Sequence, residues 1–209
     1  MERNIIVAGI GGQGSILASH LIAEATIHEH DDKYRIRVGE TFGAAQRGGA
    51  VASHVRIGEE VYSPLVGRGK ADLILALEPL EGLRLGIPYL STAGLVIMNT
   101  KMEIPVDVKV GSVEYPTLEE ITGSLQDIGE KVIAIDGSRV AATAGSAKVL
   151  SVVMLGAAFA SGMIPVAEDI MLDVIAHKVP PKTVEMNMKA FEMGKAAYFA
   201  AIDKNELDG

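Results

Sequence analysis

Cysteine and tryptophan are absent from the 209 residues of this chain, and aromatic residues make up only 4% of it. Without cysteine the chain has no disulfide scaffold, no thiol nucleophile and no cysteine ligand for an iron–sulfur cluster. Basic residues are also few, with 19 Lys and Arg against 27 Asp and Glu, and they form no run. Because phosphate neutralisation supplies much of the affinity for nucleic acid, we expect no nucleic-acid partner.

Long hydrophobic runs are also scarce. The one charge-free stretch that approaches the length of a membrane span is residues 149–167, and Gly162 and Pro165 interrupt it. We therefore interpret it as a buried helix or a helix in a subunit interface, with no membrane insertion. The opening residues, MERNIIVAG, begin a strand at once and lack the layout of a secretory signal, so we expect a soluble protein.

The apolar residues fall in patterns typical of an α/β fold. Short apolar runs at 5–8, 71–77, 95–99 and 132–135 predict buried parallel strands. We also predict a strand at 34–38, a hairpin of 51–57 with 60–65 around Gly58, and one more strand at 106–110. Helical periodicity covers 13–27 and, in the C-terminal third, 138–161, 166–177 and 182–202. The prediction is one domain over 1–209, with an open, mostly parallel, Rossmann-like sheet and helices on both faces.

The first candidate site is the glycine loop, GIGGQG at residues 9–14, between the first strand and the first helix. The spacing matches G-x-G-x-x-G, in which the turn brings a pyrophosphate to a helix N-terminus. The alternative is a tight turn that binds nothing or is pressed against another protein. A nicotinamide site also needs an acidic residue ending the second strand, and Glu40 stands there but runs straight into an unusual loop. Dinucleotide binding is therefore the second interpretation.

That unusual loop, the second candidate site, is ETFGAAQRGG at residues 40–49. Its glycines free the backbone for close approach, and the Arg47 guanidinium suits a carboxylate or phosphate. Gln46 both donates and accepts hydrogen bonds. The alternative is a surface turn with a solvated arginine.

Taken together, three segments resemble one known family. GIGGQG, GETFGAAQRGGAVASHVRIG and VYSPLVGRGKADLILALEPLEGLR are similar to the gamma-type domain of the 2-oxoacid:ferredoxin oxidoreductases, and NMKAFEMGKAA to its closing helix. Within the family, Ala44 and Ala45 stand where the pyruvate and 2-oxoglutarate branches tend to have Pro-Glu. The resemblance is to the small (beta) subunit of the indolepyruvate branch. Phe42 departs from the histidine or tyrosine that is frequent there, so its side chain is given no chemical role.

The resemblance implies a reaction and a set of partners. The family oxidatively decarboxylates a 2-oxoacid, here an aryl pyruvate, with coenzyme A, giving an acyl-CoA, CO₂ and two electrons for ferredoxin. Thiamine diphosphate with Mg²⁺ and iron–sulfur clusters serve that chemistry, and none is expected on this chain alone. The implied partner is a large (alpha) subunit that carries them, in a cytoplasmic hetero-oligomer; homodimer contacts stay open. The equivalent subunit for another 2-oxoacid and a stand-alone NAD(P)-binding protein are the alternatives.

We accordingly expect no catalytic residue and no metal ligand in this chain. We expect its two loops to lie at the carboxyl ends of adjacent strands, lining the active site or the partner interface. His20, His28 and His30 are interpreted as surface or partly buried residues and not as metal ligands. His54 is interpreted as a plain strand position, with a position facing the partner as the alternative. Glu78 and Glu81 either approach the site or serve a helix start. The residues predicted to line the site or interface are Gly11, Gly12, Gln13, Gly14, Phe42, Gly43, Gln46, Arg47, Gly48 and Gly49.

Overall fold

The computed structural model describes residues 2–30, 33–43, 49–103 and 114–207. For residues 205–207 it describes the backbone alone. Within this part of the chain, six strands and seven α-helices are formed. The strands are β1 (Glu2–Ile10), β2 (Arg35–Phe42), β3 (Ala50–Gly58), β4 (Ala71–Ala76), β5 (Leu90–Asn99) and β6 (Lys131–Ile135). The helices are α1 (Ser15–His30), α2 (Pro79–Tyr89), α3 (Leu118–Gln126), α4 (Gly137–Ala144), α5 (Leu150–Ala160), α6 (Glu168–Lys178) and α7 (Val184–Leu207).

The strands form one sheet in the order β2-β3-β1-β4-β5-β6. β1, β4, β5 and β6 are mutually parallel, whereas β3 runs antiparallel to both β1 and β2. The prediction of an open, mostly parallel α/β sheet is therefore confirmed.

Helices cover both faces of this sheet, and the alternation of side chains along each central strand feeds two separate cores. In β1, Ile5 and Val7 pack on the face covered by α1 and α4 to α7, while Ile6 and Ala8 pack on the face covered by α2 and α3. Burial on both faces explains why these strands are continuous apolar runs.

The predicted hairpin of 51–57 with 60–65 is wrong. β3 pairs with β2, with Gly39 opposite His54, and residues 60–65 form no strand. Pro64 instead packs over β2, so closely that a β-carbon on Gly39 would lie 2.9 Å from the Pro64 β-carbon. Gly58, where the hairpin turn was predicted, is the last residue of β3, and the hairpin that does form is β2 with β3, which residues 43–49 join; we call residues 43–49 the hairpin tip.

The single helix predicted over 138–161 is also wrong, because the chain breaks at Gly145. This residue has a φ of 133° and its amide donates to the carbonyls of Ala141 and Ala142, which ends α4. The Ser146 hydroxyl then caps a short 3₁₀ turn before α5 begins. Two other helices start with recognisable signals: Thr117 and Glu120 form a capping box for α3, and Pro79 is the first residue of α2.

In the described part of the chain, every helix is too short or too polar to cross a lipid bilayer. The strand predicted at 106–110 lies outside the described residues.

Candidate functional site

The glycine loop leaves β1 at Ile10 and enters α1 at Ser15 in a tight turn. The φ angles of Gly12 and Gly14 are 106° and 91°, a region that residues with a side chain rarely adopt. Gln13 closes the turn, because its amide donates to the Ile10 carbonyl at 3.0 Å and its side-chain oxygen accepts from the Ile10 amide at 2.9 Å. Gln13 therefore shapes the loop through its own backbone neighbours.

Beneath the loop, helix α5 approaches closely. A β-carbon on Gly14 would lie 2.6 Å from the Ser151 hydroxyl oxygen, so only glycine fits there. The hydroxyls of Ser15 and Ser151 are buried and have no hydrogen-bond partner among the described residues. The first amides of α1, which lack partners within the helix, give this end of the loop a partial positive charge.

The hairpin tip meets the glycine loop directly. The Gly11 amide donates to the Gly49 carbonyl at 2.9 Å, and the Gly43 amide closes the base of the hairpin by donating to the Ala50 carbonyl at 2.8 Å. Phe42 is 65% exposed beside this junction. The two predicted loops therefore do meet, although Gln46, Arg47 and Gly48 lie outside the described residues.

The two strands whose carboxyl ends lead into these loops, β1 and β2, are not adjacent, contrary to the prediction. β3 lies between β1 and β2, because the chain returns antiparallel immediately after the hairpin tip. In the usual dinucleotide-binding order the second strand lies beside the first and its terminal acid reaches the ribose. Here Glu40 is two strands away from β1, and its carboxylate lies 3.0 Å from His20 Nε2.

On the side of the glycine loop that faces β4 to β6 there is a crevice of about 400 Å³. Two lysines, a glutamate and a serine stand in its wall, so it combines charged groups of both signs with a hydroxyl. The lining residues are Gly12, Gln13, Lys101, Glu103, Ser138, Ala142, Ala147, Lys148 and Leu150. The sequence prediction missed Lys101, Ser138 and Lys148. The signal that could have found Lys101 and Ser138 is their position just after β5 and β6, at the carboxyl edge of the sheet.

The side chain of Asn99 stabilises the wall of this crevice through hydrogen bonds to Leu77 and Ser138. Its side-chain amide donates to the Leu77 carbonyl at 3.0 Å and to the Ser138 hydroxyl at 3.1 Å, and its oxygen accepts from the Ser138 amide at 3.1 Å. Asn99 is fully buried, so these bonds form in a water-poor setting where they hold their geometry well. The ends of β4 and β5 and the start of α4 are thereby fixed to one another.

On the opposite side of the glycine loop lies a smaller apolar cavity of about 210 Å³, lined by Ile10, Gly11, Gly12, Gly14, Ser15, Ile16 and Val51. With the exposed Phe42 nearby on the hairpin, this side of the loop offers apolar surface. The same loop therefore separates a polar crevice from an apolar cavity.

Glu78 and Glu81 follow β4 and are both buried. The Glu78 carboxylate caps α2 by accepting from the Glu81 amide at 3.0 Å, and it also accepts from the Tyr115 hydroxyl. Burial raises the pKa of Tyr115, and its hydrogen bond to Glu78 raises that pKa further. Burial also raises the pKa of Glu81, although the guanidinium of Arg84, 2.9 Å away, counteracts this. The helix-start role predicted for Glu78 is confirmed, and contacts beyond it are found.

The histidines do not gather into a site in the described part of the chain. His20 pairs with Glu40, His30 lies 2.8 Å from the Pro165 carbonyl, and His54 is buried in β3. Burial lowers the pKa of His54, and its Nδ1 accepts from the Val66 amide at 3.3 Å. Among the described residues, no group of three His, Cys, Asp or Glu is placed to hold a metal ion.

Comparison with known proteins assigns the family. The model of the family described as pyruvate ferredoxin/flavodoxin oxidoreductase matches residues 4–197. Indolepyruvate oxidoreductase subunit IorB of Thermococcus kodakarensis is 42% identical over 94% of this chain and 96% of its own length, and the Pyrococcus horikoshii IorB is 41% identical over the same shares. The 2-oxoglutarate synthase subunit KorC of Methanothermobacter marburgensis is 29% identical, over 93% of this chain and 96% of its own.

Solved structures agree with this assignment. The gamma subunit of a keto/oxoacid ferredoxin oxidoreductase from Geobacter sulfurreducens is 26% identical, with a TM-score of 0.68 over 95% of this chain and 99% of its own. A 2-oxoglutarate:ferredoxin oxidoreductase from Magnetococcus marinus, solved with 2-oxoglutarate, coenzyme A and succinyl-CoA bound, has the same fold at 22% identity. Its TM-score is 0.70 over 95% of this chain and 31% of that one. The chain therefore belongs to the pyruvate ferredoxin/flavodoxin oxidoreductase family, as a gamma-type subunit of a 2-oxoacid:ferredoxin oxidoreductase.

Proposed function

We propose that this chain is the small subunit of an oxidoreductase that converts indolepyruvate or another aryl pyruvate to its acyl-CoA, passing two electrons to ferredoxin. The observation that carries the proposal is the 42% identity to an indolepyruvate oxidoreductase subunit along nearly the whole of both chains. The Ala44-Ala45 pair in the hairpin loop, which resembles the indolepyruvate branch, supports the same choice.

The division of labour within such an enzyme follows from the residues present. Thiamine diphosphate is held through a metal ion, and electron-carrying clusters need cysteine ligands. The chain has no cysteine, and the described residues offer no group of acids and histidines placed for a metal. These residues do not fit thiamine diphosphate or an iron–sulfur cluster, so we assign both groups to a large partner subunit. We place the complex in the cytoplasm, where ferredoxin is available.

The chain's own task, in this proposal, is to bind and orient at the carboxyl edge of its sheet. Coenzyme A is a polyanion, and the crevice beside the glycine loop presents Lys148, the Ser138 hydroxyl and Lys101, the last of these paired with the Glu103 carboxylate. The first amides of α1 add positive potential at the same edge. The similar Magnetococcus marinus protein, in a chain about three times as long, was solved with coenzyme A bound. We propose that the crevice binds the phosphates of coenzyme A.

On its other side, the glycine loop and the hairpin tip are proposed to contact the large subunit. Phe42, Ile16 and the neighbouring apolar cavity supply apolar surface, and Arg47 supplies a guanidinium for a carboxylate or phosphate in the complex.

The test is Arg47→Ala in the reconstituted complex. We expect turnover to fall by about tenfold or more, because truncating one partner of a desolvated charge pair leaves the other uncompensated. The circular dichroism and melting temperature of the isolated chain should not change. Arg68→Ala is the matched control, because Arg68 is an exposed arginine that precedes β4, at the opposite edge of the sheet.

Full activity and normal assembly of the Arg47→Ala complex would overturn the role given to the hairpin tip. Loss of activity in the Arg68→Ala complex would show that removing any exposed arginine has the same effect.

A second candidate is the same role with another 2-oxoacid, favoured by the 29% identity to a 2-oxoglutarate synthase subunit. Comparing kcat/KM of the complex for indolepyruvate, phenylpyruvate, pyruvate and 2-oxoglutarate decides between them. The proposal expects the two aryl substrates to be preferred, and a preference for 2-oxoglutarate would select the second candidate.

A further inference from the structure

We propose that Glu78 is a positioning residue whose buried carboxylate holds residues 101–103, one wall of the coenzyme A crevice, in place. The inference rests on the role proposed for that crevice and adds a residue that does not itself line it.

Glu78 joins three parts of the chain that are distant in sequence. One carboxylate oxygen accepts from the Glu81 amide in the first turn of α2, at 3.0 Å. The other accepts from the Glu103 amide at 3.2 Å and from the Tyr115 hydroxyl. Tyr115 is tied back to the same helix start, since its hydroxyl accepts from the Leu80 amide at 3.3 Å.

This arrangement exceeds what a helix cap requires. Capping uses one side-chain oxygen, which the shorter residues Ser, Thr, Asp and Asn supply best. Glutamate has one more methylene group than aspartate, and here its second oxygen reaches the segment after β5. Burying a carboxylate to 1% exposure is costly, and the three donors with the N-terminus of α2 offset that cost.

The link from Glu78 to the crevice runs through Glu103. The side chains of Glu103 and Lys101 both line the crevice and form an ion pair at 3.4 Å. Fixing the Glu103 amide therefore fixes the path on which residues 101–103 leave the sheet. It also sets where the Lys101 ammonium stands relative to Gly12 and Gln13 across the crevice.

The experiment is Glu78→Asp in the reconstituted complex, with steady-state kinetics in coenzyme A. Aspartate retains the cap of α2 but is too short to hold Glu103 and Tyr115 as well, so it separates the two roles. We expect the KM for coenzyme A to rise about five- to tenfold, as for loss of a charge-assisted hydrogen bond, with kcat within about twofold. Tyr115→Phe should shift KM in the same direction but by less.

Glu81→Gln is the matched control, because Glu81 is a neighbouring carboxylate that is also buried and whose carboxylate pairs with Arg84. Its KM for coenzyme A should stay at the wild-type value. A wild-type KM in the Glu78→Asp complex would overturn the inference. If Glu78→Asp lowered the melting temperature and the amount of complex, an unchanged KM in a stable Tyr115→Phe complex would overturn it instead.

Lys148→Ala separates failure of this inference from failure of the proposed site. Lys148 lines the crevice without contacting Glu78, so its loss should raise the KM for coenzyme A if the crevice binds that ligand. An unchanged KM in Lys148→Ala would show that the crevice does not bind coenzyme A, and the role proposed for Glu78 would fail with it. If the KM for coenzyme A rose in Lys148→Ala but stayed unchanged in Glu78→Asp, the crevice would still bind coenzyme A and only the role proposed for Glu78 would be wrong.

Discussion

For individual residues at the carboxyl edge of the sheet, hydrogen-bond and ion-pair partners show the role of each side chain in the fold. Gln13 is a site residue by its motif, yet both its backbone and its side chain bond to Ile10, so its role in the fold is to shape the turn. Glu40 has the position of a ribose-binding acid by count along the sequence, but it pairs with His20. The motifs thus identified the correct edge of the sheet. The contacts of each side chain could not be identified in the same way, because they depend on strand order.

The crevice residues that the sequence analysis did not identify were missed for one physical reason. Lys101, Ser138 and Lys148 come from three separate parts of the chain, after β5, in the first turn of α4 and in the 3₁₀ turn before α5, and they meet only because these parts pack beside the glycine loop. The positions of Lys101 and Ser138 just after predicted strands point to the carboxyl edge of the sheet, but no spacing in the sequence shows that these side chains meet Lys148. Arg47 remains a prediction of the sequence.

His54 supports a prediction about pH at the residue scale. Burial lowers its pKa from the ordinary value of 6.5, so the folded chain holds the neutral imidazole while the unfolded chain is protonated first. Its contribution to the free energy of unfolding is therefore fully present above about pH 6.5 and is lost as the pH falls from there toward the folded pKa. Melting temperatures of the wild-type chain and His54→Gln between about pH 7.5 and pH 5.5 test this window.

We expect the wild type to lose melting temperature over that range more steeply than His54→Gln. The glutamine side chain still offers an oxygen to the Val66 amide but does not titrate. Equal slopes in the two proteins would show that His54 does not contribute to the acid sensitivity.

At the scale of secondary-structure elements, local patterns predicted most of the strands. The continuous apolar runs of β1, β4 and β6 identified buried parallel strands because both faces of the sheet are covered. β2 was predicted too short, since it lies at the edge of the sheet and its polar second half, with Glu40 and Thr41, carries no apolar pattern. The pairing of β2 with β3 depends on backbone hydrogen bonds across the hairpin, and the pattern of side chains in the sequence does not predict it.

The crossing of α5 and α7 gives the prediction at this scale. A methyl group on Gly194 would lie 1.9 Å from the Val153 carbonyl oxygen, and one on Gly156 would lie 2.1 Å from the Phe191 carbonyl oxygen. Two backbones in such close contact cannot admit a β-carbon without moving apart. Gly194→Ala should therefore cost about 1–3 kcal/mol and lower the melting temperature by about 3–10 °C, measured by calorimetry.

The control is Gly123→Ala in α3, where a β-carbon would have no atom within 4 Å. Alanine favours the helix over glycine by about 0.5–1 kcal/mol, so this variant should melt slightly higher than the wild type. A Gly194→Ala protein as stable as Gly123→Ala would mean that α5 and α7 do not cross this closely.

At the scale of the whole molecule, the chain is one part of a larger enzyme. Its fold places a polar crevice and an apolar cavity on opposite sides of one glycine loop, at the edge of the sheet where α/β proteins bind ligands. Membership of the family was accessible from sequence because the glycine loop, hairpin tip and closing helix each carry recognisable segments. The arrangement of the crevice was not, because it depends on how separate connections converge.

In the proposed function, the large subunit requires this chain for turnover. The most direct measurement is the rate of ferredoxin reduction, dependent on indolepyruvate and coenzyme A, by the purified large subunit alone, by this chain alone, and by the equimolar mixture. We predict turnover in the mixture and only background rates from either chain alone. A large subunit that reaches the rate of the mixture without this chain would contradict the account.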